Sequence, residues 1–146
     1  MALTSCGLAP AYGPDGVGEQ WQNAVTFQTP QSVIGYRMNA RLTEVFGPVT
    51  AAKFTLNVEP QVGSVSATIT EDGDSTRYNL TGNATWTLTD LSGVQIATGL
   101  EQTFTSYSAT GSTVATQAAE NDAQARLGVA LADLIARRVV LLGAAL

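Results

Sequence analysis

At 146 residues the chain is long enough for one domain around a single core. Only 13% of it is charged, about half the usual fraction, with seven basic residues scattered against twelve acidic ones. That excludes a basic nucleic-acid patch. The absence of histidine and the single cysteine exclude a Cys/His zinc site and any Ser-His-Asp or Cys-His nucleophile.

No run of eighteen apolar residues is present, so no helix is expected to span a bilayer. Thr, Ser, Asn and Gln replace the missing charges. Such a surface suits burial against a partner, because neutral groups cost less to desolvate than ions. It equally suits a Thr-rich β-sheet.

In chain order, Leu3-Thr4-Ser5-Cys6 matches a bacterial lipobox: an aliphatic residue, two small ones, then Cys. Residues 1–5 read as the remnant of a lipoprotein signal or an added start, with Cys6 as the lipid attachment point. Gly7 to Gly16 is rich in Gly and Pro and has no periodicity, so residues 6–20 read as a lipidated tether. Gly at position 7, where no acidic residue stands, is similar to the pattern of lipoproteins sorted to the outer membrane. Residues 21–146 form the single domain.

Ala24 to Gln28 is a short β-prone run. Thr29-Pro30 then reads as N-cap and first helical residue. Ile34, Met38, Leu42 and Val45 make one apolar stripe of a helix over 30–46, with Arg37, Arg41 and Glu44 off it. Gly47-Pro48 ends it.

Phe54, Leu56 and Val58 alternate with polar residues. Further on, Val65, Ala67 and Ile69 carry the apolar side, so a break is expected at Pro60 to Gly63. Glu71 to Ser75 reads as a polar hairpin loop. The next strand alternates strictly. Tyr78, Leu80, Ala84, Trp86 and Leu88 share a face with Gly82, and Trp86 is expected in the core. The other face carries Arg77, Asn79, Thr81, Asn83, Thr85, Thr87 and Thr89. Asp90 to Gly93 turns the chain. Val94, Ile96, Leu100 and Phe104 continue the apolar pattern on the returning strand.

From about residue 114 the chain is helical. Ala118, Ala119, Ala123, Leu127, Ala130, Leu131 and Leu134 form its apolar face. Asp122 with Arg126 and Asp133 with Arg137 are acid-before-base pairs at i,i+4. Val139 to Leu146 is too short to span a bilayer and reads as core packing. The order strand, helix, three strands, helix gives an α+β two-layer sandwich: a mixed four-stranded sheet with two helices packed on one face.

Several segments together resemble the lipopolysaccharide-assembly lipoprotein family LptE, in its alphaproteobacterial form. They are Cys6 to Gly13, Gly35 to Leu42, and Phe104 to Ser108 leading into Ala118 to Leu127 and Ala132 to Ile135. The likeness covers nearly the whole chain and rests mostly on element order. It implies a non-catalytic outer-membrane lipoprotein, anchored on the periplasmic face and needing no cofactor or metal. Such a protein plugs a β-barrel translocon, an LptD-like lipopolysaccharide-assembly protein, helps it fold, and takes part in moving lipopolysaccharide to the cell surface.

A barrel lumen is polar, which fits a low-charge sheet face. Asn79, Thr81, Asn83, Thr85 and Thr87 are therefore the candidate partner contacts. Lys53 and Arg77 are the nearest candidates for lipopolysaccharide contact. An auxiliary lipoprotein of another (ABC-type) lipid-transport system is the alternative. A carboxylate enzyme using Glu59, Glu71, Asp72 or Asp74 lacks an accompanying pocket. The sequons at Asn79 and Asn83 fall mid-strand, where a glycan acceptor is not expected.

Overall fold

The structure is a computed structural model, and it describes residues 16–69, 75–109 and 111–143. Cys6, most of the tether and the loop at 70–74 lie outside the described residues.

A short 3-10 helix, Glu19–Trp21, leads into β1 (Val25–Gln28), α1 (Val33–Phe46), β2 (Phe54–Ile69), β3 (Ser75–Asp90), β4 (Gln95–Ser108) and α2 (Thr113–Leu142). The sheet order is β1-β2-β3-β4. β1 runs parallel to β2, and the other neighbours are antiparallel. Because β1 and β2 are parallel, α1 must cross back over the sheet between them. α2 packs on α1 and lies over β3 and β4. Both helices therefore cover the same face, as the sandwich requires.

The core follows from the periodicities. Met38, Leu42 and Phe46 of α1 and Leu127, Leu131 and Ile135 of α2 are fully buried. They meet Leu56 and Val58 of β2 and Leu80, Trp86 and Leu88 of β3. Trp86 is 4% exposed, in the expected core position. Close helix approach needs a residue without a side chain at the crossing. A Cβ on Gly128 would stand 2.8 Å from the Ile34 carbonyl oxygen of α1.

The structure corrects the sequence reading in five places. α1 begins later than Thr29-Pro30. Ser32 is the N-cap, its hydroxyl accepting from the Gly35 N–H at 3.2 Å, while the Pro30 carbonyl accepts from the Ser32 N–H in a preceding turn. At the other end of the stripe Phe46, not Val45, is fully buried, and Gly47 caps the helix.

β2 has no break at Pro60 to Gly63. Its pairing with β3 runs unbroken from Phe54↔Asp90 to Ser66↔Tyr78, and the irregularity falls at 66–69. Pro60 is tolerated because β1 stops opposite Asn57, so β2 is an edge strand from there. Val65 consequently stands on the side away from the helices.

β4 changes phase at its start. Gln95 pairs with Thr89 and Ala97 with Leu88, so Ile96 is an extra residue. Such a bulge sends two consecutive side chains inward, and the later even-numbered residues turn outward. Leu100 and Phe104 thus leave the covered face. Glu101 takes the inward position opposite Ala84, where it is buried and accepts from Arg138 Nε at 3.2 Å.

On α2, Ala118 is exposed, and the buried face runs on through Ala132, Ala136, Val139 and Val140. Of the two expected i,i+4 pairs, Arg126 and Asp122 meet at 2.8 Å. Asp133 instead accepts from Arg41 Nε of α1 at 2.7 Å, and Arg137 Nε donates to the Asp133 backbone carbonyl.

Candidate functional site: the open sheet face

Side chains alternate across a strand, so the register fixes what the uncovered face presents. Across β2, β3 and β4 its rows are Asn57–Thr87–Thr98, Glu59–Thr85–Leu100, Gln61–Asn83–Gln102, Gly63–Thr81–Phe104 and Val65–Asn79–Ser106. Arg77 and Ser108 follow at the far end. β1 adds Thr26 and Gln28 beside Thr55 and Asn57.

All five candidate contact residues, Asn79, Thr81, Asn83, Thr85 and Thr87, stand on this face in one line along β3. Thr81, Asn83 and Thr85 are exposed, and Asn79 and Thr87 are half-buried. Only Glu59 interrupts the neutral rows, and Asn57 Nδ2 donates to its carboxylate at 3.3 Å.

Cross-strand hydrogen bonds hold the polar side chains in place. Ser106 Oγ donates to Asn79 Oδ1 at 2.7 Å. The Thr81 hydroxyl donates to the Gly63 carbonyl at 3.4 Å, and the Thr98 hydroxyl to the Trp86 carbonyl at 2.7 Å. Much of the hydrogen-bonding capacity remains for a partner, because each hydroxyl has two acceptor lone pairs.

Within this neutral surface stands an apolar group that the sequence reading placed elsewhere. Phe104 is 65% exposed, Val65 59% and Leu100 54%. Gly63, two strands from Phe104 in the same row, leaves the space beside Thr81 open. The signal that could have revealed these residues is Gly99. It faces Trp86, and a Cβ there would stand 2.6 Å from the indole ring. Gly99 inward puts Leu100 outward.

Lys53 and Arg77 are not brought together. Lys53 immediately precedes Phe54, which pairs with Asp90, whereas Arg77 lies at the opposite end of β3. The strand between residues 77 and 90, at ~3.3 Å per residue, separates the two ends by about 40 Å. They cannot clamp one phosphate group. Arg77 lies beside Asp122 and Arg126 of α2, around a shallow groove of about 300 Å³.

A second concavity of about 680 Å³, between the two helices, is lined by Gln22, Arg41, Glu44, Asp133 and Arg137 among others. Hydrogen bonds from Arg41 to Glu44 and Asp133 raise the pKa of its guanidinium. This cluster ties α1 to α2 and contains none of the candidate site residues.

On the covered side, Tyr107 stacks on Tyr78 with ring centroids 5.3 Å apart. Burial, and next the charge of Glu120, push the Tyr107 hydroxyl above its usual pKa. Among the described residues no cluster of three potential metal ligands occurs, and no helix is long and apolar enough to cross a membrane.

The fold is shared with several solved structures. A Caulobacter crescentus protein described as a lipoprotein superposes with a TM-score of 0.72 at 19% identity, covering 87% of this chain and 96% of that one. Rare lipoprotein B of Shewanella oneidensis gives 0.61 at 11% identity, over 80% and 92% of the two chains. A minor lipoprotein of Acinetobacter baumannii gives 0.60 at 18%, over 82% and 91%. Comparison with curated proteins gives no match. The family model for lipopolysaccharide assembly, LptE, matches residues 22–139, from the residue after Trp21 to the last turn of α2. The chain therefore belongs to the LptE family, non-catalytic lipoproteins of lipopolysaccharide assembly.

Proposed function

We propose that this protein is anchored to the periplasmic face of the outer membrane through acylated Cys6. There it fills the lumen of an LptD-like β-barrel, assists its folding, and takes part in passing lipopolysaccharide to the cell surface. The observation that carries this reading is the open sheet face. It is a wide surface with almost no charge to desolvate, held by cross-strand bonds, and flanked by exposed apolar residues, Leu100 and Phe104 on the edge strand β4 and Val65 on β2.

Docking such a face exchanges bonds to water for bonds to a polar lumen wall. The penalty that a Lys/Glu-rich face would incur on enclosure is avoided. Asn79, Thr81, Asn83, Thr85 and Thr87 supply the polar contacts, and Phe104 and Leu100 on the adjoining edge strand add apolar area to bury. Lys53 and Arg77 act singly if they touch lipopolysaccharide, since about 40 Å of strand separates them.

Depleting the protein from its native cells tests the reading. The amount of assembled lipopolysaccharide-transport barrel in the outer membrane should fall, followed by surface lipopolysaccharide. Normal barrel assembly after depletion would contradict the plug role. Mass spectrometry of the native protein should find diacyl or triacyl Cys6 as its first residue. A free thiol in a chain that starts upstream would contradict the anchor.

A further inference from the structure

One end of the domain gathers exposed apolar groups around the point where the chain enters the fold. Phe54, at the start of β2, pairs with Asp90 and packs against Trp21 with ring centroids 4.8 Å apart. Gly143, just past α2, lies against the Val17 carbonyl. The N-terminal segment, the β3–β4 turn and the end of α2 therefore share this end.

Leu91 at the turn is 72% exposed and Val94 61%, and Leu141 is exposed close to the end of α2. Turn tips are ordinarily polar. This one carries two exposed apolar side chains on a closely hydrogen-bonded turn. The Asp90 carboxylate accepts from the Ser92 N–H at 2.9 Å, the Ser92 hydroxyl at 2.6 Å and the Val94 N–H at 2.9 Å. Gly93 supplies the positive φ of 84°.

We propose that this end rests on the lipid surface that holds the anchor, with Leu91 and Val94 seated among the headgroups. The proposal rests on the lipid-anchor reading of Cys6. Two observations select a bilayer as the occupant, the reach of the tether and the preformed apolar turn. The ten Cα–Cα steps from Cys6 to Gly16 reach at most about 35 Å, so an acyl chain on Cys6 keeps this end of the domain near the leaflet.

Two apolar side chains bind a membrane weakly alone. A tether that short raises the local concentration of lipid enough to keep a weak contact occupied. Charge at this end is mixed: Lys53, Arg137 and Arg138 stand with Glu19 and Asp90, and Arg138 is paired with Glu101, so the contact is an apolar one. The preformed turn adds little ordering cost on contact.

A photoreactive benzophenone side chain placed at Leu91 tests this in the full chain. The protein is coupled through Cys6 to a maleimide-bearing lipid in vesicles of phosphatidylethanolamine and phosphatidylglycerol. The control position is Val114, exposed in the first turn of α2 at the other end of the domain. Irradiation should give about fivefold or more lipid adduct at position 91 than at 114, because the tethered contact is mostly occupied. Unchanged melting temperatures would show that both labelled chains are folded.

Equal adduct at the two positions, or none at 91, overturns the proposal. So does adduct at 91 in native envelopes going to a protein instead of lipid. Coupling is chemical here, so a negative result leaves natural acylation to be judged separately by the mass of native Cys6.

Discussion

The two faces of one sheet are built from the same strands and obey different rules. On the covered face, volume decides. Trp86 spreads over Gly99, helices α1 and α2 meet at Gly128, and Glu101, the one buried carboxylate among the described residues, is paired with Arg138. On the open face, charge decides. Threonine and asparagine fill row after row with little regard for size, and an exposed phenylalanine stands among them. A face under selection for packing alone would tolerate lysine and glutamate on its outside. Here the rows from Asn57 to Val65 carry no lysine and a single glutamate, Glu59, as the proposed docking surface requires.

The contrast can be broken by mutation. Trp86→Ala should cost about 3–5 kcal/mol by chemical denaturation, the cavity left by a large core aromatic. A loss below about 1 kcal/mol would mean that the register of β3 is misplaced. Two glycine substitutions sharpen the comparison. Gly99→Ala puts a methyl group 2.6 Å from the Trp86 ring and should cost about 1–3 kcal/mol through overpacking. Gly63→Ala meets only the Thr81 hydroxyl, at 3.1 Å, which can rotate aside. It should stay within about 0.5 kcal/mol of wild type. Equal costs at the two sites would erase the distinction between the faces.

Phe104→Ser should also leave stability within about 0.5 kcal/mol, since the ring is mostly exposed. It should nevertheless weaken capture of the barrel. A large loss of stability there would show that the ring packs within the isolated domain.

The smallest effect concerns the turn that joins β3 to β4. Bonds from the Ser92 side chain and from the Val94 backbone hold the Asp90 carboxyl below its usual pKa. A depressed folded pKa stabilises the fold above the unfolded value, near 3.9, and that contribution is lost as pH falls through the folded value. Asp90→Ala should therefore slightly lower the melting temperature at neutral pH and leave it nearly unchanged at the lowest pH. A constant difference across the titration would contradict this account of the turn.

Sequence made the covered face legible and the open face only half so. Ile34, Met38 and Leu42, and the strict alternation from Tyr78 to Leu88, read directly, because burial against a second layer enforces one period. The errors cluster where that force is absent or where a single residue is inserted. Beyond Asn57 β2 loses its β1 neighbour, and past Val58 its helix-side residues Val62, Ser64 and Ser66 are exposed. Burial no longer dictates which side Val65 takes, so the backbone ladder to β3 does.

In β4 the extra residue Ile96 reversed the phase of everything after it. A bulge is decided by pairing with the neighbouring strand and leaves little trace in the strand's own sequence. The polar row on β3 was thus legible in the sequence, while the outward side of Phe104 and Leu100 beside it was not.

The central claim is that the open face is a docking surface, and Thr81→Glu combined with Thr85→Glu tests it most directly. The two positions flank Asn83 on exposed strand surface, so circular dichroism of the isolated variant should match wild type. Enclosure would bury two unpaired like charges, so co-purification with the barrel should fall at least tenfold, a difference of about 1.4 kcal/mol or more. A variant that folds normally and still co-purifies at the wild-type level would contradict the account and move the interface to the helical side.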